Sequence, residues 1–378
     1  MTNIPYATQW LDDADLAGVV EALKSTHLTQ GPLVAEFEKK VAEYCGAKFA
    51  VAVSSGTAAL HAACFVTGIG PGDEVITSPI TFVATANSVL YCGGKPVFAD
   101  VRSDTINLDP EQVSKKITSA TRAIIPVHFA GHPCDMKELS AIAKEKKLIV
   151  IEDAAHALGA EYNGSKIGSC RYSDLTVLSF HAVKHITTGE GGMVLTNNEA
   201  FYRKLLMFRT HGITRDSDVL EIKNEGPWYY EMHDLGFNYR ITDFQCALGL
   251  SQLKKLDSFL ARRREIVARY NQAFSGLKDM MLPIENGGVK SSWHIYPVRF
   301  CGNRRTIFEH LRLVGIGVNV HYLPVYCQPY YRKLGYSQTE CPQAEAYYNS
   351  AITLPLFPKM SDEDAALVVK TVKESLHA

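Results

Sequence analysis

The sequence has no uninterrupted run of about 18 apolar residues, the least that a membrane-crossing helix needs. It carries nine cysteines but no C-x-x-C pair. Zinc knuckles and dithiol redox sites are therefore not indicated. Scattered thiols read as small buried hydrophobes in a reducing compartment. There is no G-x-G-x-x-G, the glycine fingerprint of dinucleotide binding. His128 and His132 are four apart, as are His181 and His185, but neither pair forms H-E-x-x-H, so no metal is expected. Gly159–Lys166 reads GAEYNGSK, near a P-loop, but its lysine follows the serine instead of preceding it. Charge of one sign is also missing: 39 Lys and Arg face 40 Asp and Glu, for a formal charge of −1. That balance gives nucleic acid and anionic membranes nothing to attract. Met1–Asp13 is polar and acidic and lacks the basic start and apolar run of a secretory signal. The expected compartment is the cytoplasm.

What is present is an ordinary folding composition: 46% hydrophobic and 21% charged residues over 378 positions. The length suits one large domain and one smaller one. Short β-rich runs alternate with helical ones. The runs are Phe49–Val53, Glu74–Thr77, Pro96–Ala99, Ala123–Val127, Leu148–Glu152, Thr176–Phe180 and Met193–Thr196. Several are apolar throughout, as strands covered on both faces must be. Helices are expected at Leu16–Leu23, Leu33–Tyr44, Thr57–Val66, Thr81–Tyr91 and Met136–Lys146. The pattern predicts an α/β fold with a mostly parallel sheet. From Thr242, a plausible N-cap, apolar residues recur at helical spacing to Tyr270, as one long helix or two with a kink. We expect a large domain over residues 1–250 and a small one over 251–378. The latter would mix strands at Trp293–Phe300 and Val318–Tyr322 with helices at Thr306–Leu313 and Asp362–Leu376.

Three segments carry chemistry when read together. In Val53-Ser54-Ser55-Gly56-Thr57-Ala58 a strand turns into a helix through small hydroxyl and glycine residues. Free N–H groups at a helix start make a cradle for a phosphate dianion, although the segment also reads as a plain turn. Leu148–Asp153 brings a carboxylate to the end of an apolar strand, where ligands sit in open α/β sheets. Its plainer reading is a helix cap. Ser179–Gly192 leads from a strand to Lys184 and then into a glycine turn. A lysine with few charged neighbours suits imine chemistry; its plainer reading is a surface loop. Cradle, strand-end Asp and Lys, in that order, suit pyridoxal phosphate on an aminotransferase-type sheet. The lysine holds the cofactor and shuttles a proton, and the aspartate keeps the ring nitrogen protonated.

The sequence resembles the DegT/DnrJ/EryC1/StrS family of sugar aminotransferases over essentially its whole length. The resemblance rests on Leu28-Thr29-Gln30-Gly31-Pro32, Ser55-Gly56-Thr57, Pro79–Asn87, Glu152-Asp153-Ala154-Ala155-His156, Ser179-Phe180-His181 with Lys184, Gly189–Gly192 and Gly236-Phe237-Asn238-Tyr239-Arg240. It implies the fold-type-I, aspartate aminotransferase-like architecture, with a seven-stranded sheet and a smaller α+β C-terminal domain. It also implies pyridoxal 5'-phosphate as cofactor, with Lys184 as its covalent anchor and general acid/base. Asp153 would pair with the ring nitrogen. Gly56, Thr57 and Ser179 would hold the phosphate. Phe82 would stack on the ring, and His156, where many members carry Gln, would stand near the ring hydroxyl. Asn238 would reach the neighbouring subunit's phosphate, which implies a homodimer. Phe82, His156 and Asn238 each have an alternative as a core, packing or turn residue. Tyr6, Thr29, His321 and Tyr322 fall in segments that face the sugar nucleotide in relatives, with a structural role as the alternative for each.

Within the family the resemblance is nearest to enzymes of pseudaminic acid biosynthesis. These aminate C4 of a UDP-linked 4-keto-6-deoxy-N-acetylhexosamine, here with L-glutamate as the expected donor. The alternatives are amination at C3, a dTDP- or GDP-linked sugar, or a non-catalytic regulatory protein of the same fold. Family dehydratases carry His where this chain has Lys184, which argues against that branch.

Overall fold

Four of the five residues of β1 (Phe49–Val53) are buried, and the strand opens a sheet that is covered on both faces. The computed structural model describes residues 3–223 and 225–376. The sheet adds β2 (Glu74–Thr77), β3 (Lys95–Phe98), β4 (Thr121–Ile125), β5 (Ile149–Asp153), β6 (Leu175–Ser179) and β7 (Gly192–Thr196). Their spatial order is β1-β7-β6-β5-β4-β2-β3. The pairs from β6 through β5, β4 and β2 to β3 are parallel. Only β7 runs against its neighbours. The mostly parallel sheet read from the apolar runs is therefore present.

Helices pack on the sheet because their apolar faces have nowhere else to be buried. They are α1 (Asp13–Lys24), α2 (Pro32–Cys45), α3 (Gly56–Val66), α4 (Ala84–Tyr91), α5 (Pro110–Lys116), α6 (Met136–Lys146) and α7 (Glu199–Phe208). Thr242 caps α8 (Asp243–Leu253) through a capping box in which Gln245 reaches back to the Thr242 N–H. The apolar pattern continues as a separate α9 (Leu256–Phe274), so it is two helices. The capping carboxylate of Asp243 also ties in the N-terminal segment, accepting from the N–H groups of Gly31 (2.8 Å) and Leu33 (3.2 Å).

A second, antiparallel sheet contains β8 (Met280–Met281), β9 (Tyr296–Phe300) and β10 (Ala351–Leu354) in that order. Around it lie α10 (Arg304–Leu313), α11 (Pro329–Lys333), α12 (Pro342–Ser350) and α13 (Asp362–Ser375). Its core takes Ile266, Val267, Tyr270 and Phe274 from α9, and also Ile4 from the N-terminus.

Three expected elements change. The strand from Trp293 begins only at Tyr296. Trp293 has φ +48°, and the carbonyls of Trp293 and His294 are taken by the buried Arg263 guanidinium. Val318–Tyr322 is not a strand but touches β10 through a single bridge, Asn319 to Thr353. There the Asn319 side chain accepts from the neighbouring Val320 N–H at 2.8 Å, a local bond that competes with a ladder. The helix expected from Thr81 begins at Ala84, which leaves Thr81 and Phe82 in the preceding turn.

Candidate active site

The cradle forms where β1 turns into α3. Ser55 is the N-cap, and its Oγ accepts from the Ala58 N–H at 3.1 Å. The first N–H groups of α3, those of Gly56 and Thr57, have no partner within the helix. Gly56 lies against Ser179, the last residue of β6. A Cβ at position 56 would come 3.0 Å from Ser179 Cβ and 3.1 Å from its Oγ. Glycine suits that approach, which sets Gly56, with Thr57 next to it in the chain, against Ser179. Gly192 closes the floor: a Cβ there would meet the Ser55 carbonyl oxygen.

Strand β5 presents Asp153 on one face and Glu152 on the other, as a period of two requires. Asp153 is buried. Its Oδ2 accepts from Thr85 Oγ1 at 2.7 Å and its Oδ1 from the Ala155 N–H at 3.1 Å. Each oxygen keeps acceptor capacity for a further donor.

Lys184 follows β6 on a turn closed by its own N–H to the His181 carbonyl. Burial pulls its amine from 10.5 down to about 8, against the opposing pull of the Asp153 charge. A neutral amine is thus within reach near physiological pH. Aromatic and imidazole rings surround it. His156 is buried, with Nε2 3.3 Å from Tyr322 Oη and an Nδ1 that has no partner. Its ring centroid lies 4.3 Å from that of His294. Burial, aided by the Lys184 charge, holds His156 well below the usual histidine range, so the ring is neutral. His321 is lowered to about 4 by burial and by Lys184. Its Nδ1 sits 2.8 Å from Thr353 Oγ1, and the Tyr6 and Tyr322 rings lie 5.7 and 4.8 Å away. Phe82 faces Tyr322 at 6.4 Å between centroids and is 60% exposed. Tyr6, Phe82, His156, His321 and Tyr322 thus gather in one cluster beside Lys184 and Asp153.

Two predicted residues lie apart from that cluster within the chain. Thr29 is exposed and bridges to Thr242 at the start of α8. Asn238 is exposed on a strip bridged to Thr210. The next residue of that strip, Tyr239, accepts the Ser54 N–H at 2.8 Å, so the strip abuts the cradle. Three contributors escaped the sequence reading: Thr81, Thr85 and His294. The spacing of Thr81 and Thr85, four residues apart inside Pro79–Asn87, was the available signal for two hydroxyls on one face. His294 had none, because only the fold brings it to His156. Among the described residues no three His, Cys, Asp or Glu side chains gather as a metal site would need.

The arrangement fits pyridoxal phosphate. A dianion cradle, a carboxylate with free acceptor capacity, a desolvated amine and a buried imidazole nitrogen without a partner match the cofactor's phosphate, ring nitrogen, aldehyde and ring hydroxyl in turn. Comparison with known proteins agrees. The profile of the DegT/DnrJ/EryC1/StrS aminotransferase family matches residues 9–373. The UDP-4-amino-4,6-dideoxy-N-acetyl-beta-L-altrosamine transaminase of Campylobacter jejuni is 38% identical over 376 residues, covering 98% of this chain and 96% of that protein. The structure of Helicobacter pylori PseC, an aminotransferase involved in pseudaminic acid biosynthesis, superposes with a TM-score of 0.92 at 33% identity and covers both chains fully. The putative sugar aminotransferase Spr1654 of Streptococcus pneumoniae, solved in its PLP form, gives 0.93 at 33% identity over 100% of this chain and 99% of that one. This chain belongs to the DegT/DnrJ/EryC1/StrS aminotransferase family and is a pyridoxal phosphate-dependent sugar aminotransferase.

Proposed function

We propose that the protein transfers the amino group of L-glutamate to C4 of a UDP-linked 2-acetamido-2,6-dideoxy-hexos-4-ulose, in pseudaminic acid-type glycan synthesis. The carrying observation is Lys184, a desolvated amine set between Asp153 and a wall of neutral rings. The sugar assignment draws on the Campylobacter jejuni and Helicobacter pylori relatives.

Bound pyridoxal phosphate supplies an electron sink and a carrier for the amino group. The chain supplies the rest. Gly56, Thr57 and Ser179 anchor the phosphate. Asp153 holds a proton on the ring nitrogen, and Phe82 covers one face of the ring. His156, neutral and short of one partner, donates to the ring hydroxyl. Lys184 anchors the cofactor, takes the proton from Cα of glutamate and later returns one to C4 of the sugar. Tyr6, His321 and Tyr322 border the sugar nucleotide. His321, kept neutral by burial, offers it a hydrogen bond without charge.

In this reading the enzyme is a cytoplasmic homodimer. Asn238, exposed in the single chain, crosses to the phosphate of the neighbouring subunit. The chain divides near residue 250 into a cofactor domain and a smaller one, with Ile4 returning to the smaller core.

The test is product analysis. Purified protein is offered glutamate with UDP-, dTDP- and GDP-linked keto sugars, and the amino sugar is identified by mass and NMR. The reading expects a 4-amino product from the UDP-linked 4-keto-6-deoxy-N-acetylhexosamine. A 3-amino product, or turnover of the dTDP-sugar alone, overturns it.

A further inference from the structure

The turn before α4 does more than lead into a helix. Thr81 and Thr85 are both buried, and their hydroxyl oxygens lie 2.7 Å apart. Thr85 Oγ1 stands 2.7 Å from Asp153 Oδ2 and 3.2 Å from the Phe82 carbonyl. A threonine hydroxyl has one proton to give. Beside an ionised carboxylate that proton goes to Asp153, because a bond to a charged acceptor is the stronger. The lone pair left on Thr85 then accepts from Thr81, and the chain of donors runs Thr81 to Thr85 to Asp153.

The consequence is geometric. Asp153 Oδ1 already accepts from the Ala155 N–H. With Thr85 on Oδ2, the carboxylate cannot rotate without losing both bonds. The Thr85 backbone N–H also donates to the Phe82 carbonyl at 3.2 Å, across the start of α4. Through its hydroxyl and its backbone N–H, Thr85 therefore ties the residue that covers the cofactor ring to the residue that faces its nitrogen.

We infer that Thr85 is a positioning residue for the cofactor, holding the Asp153 carboxylate in register with the ring nitrogen. The inference rests on the proposed role of Asp153. It assigns Thr85 no contact with substrate or with the reacting atoms.

The test compares Thr85→Val, which keeps the shape, with Thr85→Ser, which keeps the hydroxyl. Thr85→Ala repeats the comparison without branching at Cβ, in case valine does not fold. Asp153→Asn is the reference. Two quantities are read for each: the dissociation constant for pyridoxal phosphate, and the melting temperatures of the apo and cofactor-loaded proteins. Thr85→Val and Thr85→Ala should bind the cofactor about tenfold or more weakly, as loss of a bond to a charged group implies. Their apo melting temperatures should fall by a few degrees, because buried Thr81 and Asp153 each lose a partner, and the rise on adding cofactor should shrink as well. Thr85→Ser should restore both. A purely structural threonine would lower the apo melting temperature alone and leave the cofactor affinity and the cofactor-dependent rise intact, which overturns the inference. Wild-type affinity in Thr85→Val and Thr85→Ala, with weak binding in Asp153→Asn, also overturns it and leaves the role of Asp153 standing. Wild-type affinity in Asp153→Asn overturns the reading beneath it.

Discussion

His128 Nε2 lies 2.7 Å from Glu152 Oε2, and both side chains are buried. The Cys134 N–H donates to His128 Nδ1 at 3.0 Å, which leaves Nε2 as the nitrogen that donates to Glu152. Glu152 Oε1 accepts the hydroxyls of Ser173 and Thr176. The same residues brace the backbone on the other side of the strand. The His128 N–H donates to the Asp153 carbonyl at 3.1 Å, and the Asp153 N–H donates to the Pro126 carbonyl at 2.9 Å. The pair thus locks the segment after β4 to β5 at Asp153. Glu152→Ala deprives the buried His128 and Thr176 and the half-buried Ser173 of that acceptor and should cost about 3 kcal/mol. Glu152→Gln keeps one acceptor oxygen and should cost less than half as much. Denaturant unfolding of the apoproteins measures both.

A second prediction concerns Lys184 and pH. Its amine is lowered to about 8 in the fold, against 10.5 when solvated. Between those values the unfolded chain binds more protons than the folded one, so stability rises with pH. Below about 8 the cost of burying the charge is constant. Lys184→Met removes that cost. The variant should be more stable than wild type by roughly 2–3 kcal/mol at pH 7, with the gain shrinking to nothing by about pH 10.5. Apoprotein stability across that range is the measurement. A gain that does not change with pH would detach it from the amine.

The imidazoles set the acid side. Burial lowers His156, His185 and His294 well below the usual range, and His321 to about 4. Between about 4 and 6.5 the unfolded chain takes up protons that the folded one refuses, so stability falls as pH drops through that window. The apo melting temperature should be level from pH 7 to 8 and fall steeply below 6.5. His321→Gln should make the fall shallower, since it removes one proton from the difference.

The cradle can be tested by adding one methyl group. Gly56→Ala places a carbon 3.0 Å from Ser179 Cβ, inside ordinary contact distance, so the two must part. Cofactor affinity should drop about tenfold, or about 1.4 kcal/mol. Apoprotein stability should change by less than about 1 kcal/mol, because alanine favours the helix it would begin.

How much of this was legible beforehand depends on the range of the signal. Strands β1, β2 and β4 to β7 announce themselves because burial on both faces leaves no polar alternation to confuse them. Thr242 was readable as a cap because its partner Gln245 is three residues on. The placement of Gly56, Asp153 and Lys184 was readable because each ends or closely follows a strand of one sheet. What failed was local structure set by distant partners. Nothing near Trp293 says that Arg263, thirty residues earlier, will occupy its carbonyl. Nothing near Val318 says that only one bridge to Thr353 will form. His128, weighed as half of a metal pair on its spacing to His132, finds Glu152 across the sheet instead. His132 sits beside Asn107, 3.3 Å from Nδ2.

The most direct measurement follows the visible absorbance of the cofactor-loaded protein through one cycle of two additions. Glutamate alone should abolish the visible band, with 2-oxoglutarate released in equal amount to the sites. The UDP-linked 4-keto-6-deoxy-N-acetylhexosamine, added after glutamate is removed, should restore the band and yield the 4-amino sugar. Lys184→Ala should do neither. A wild-type band that ignores glutamate, or that returns only with a dTDP-sugar, would contradict the account.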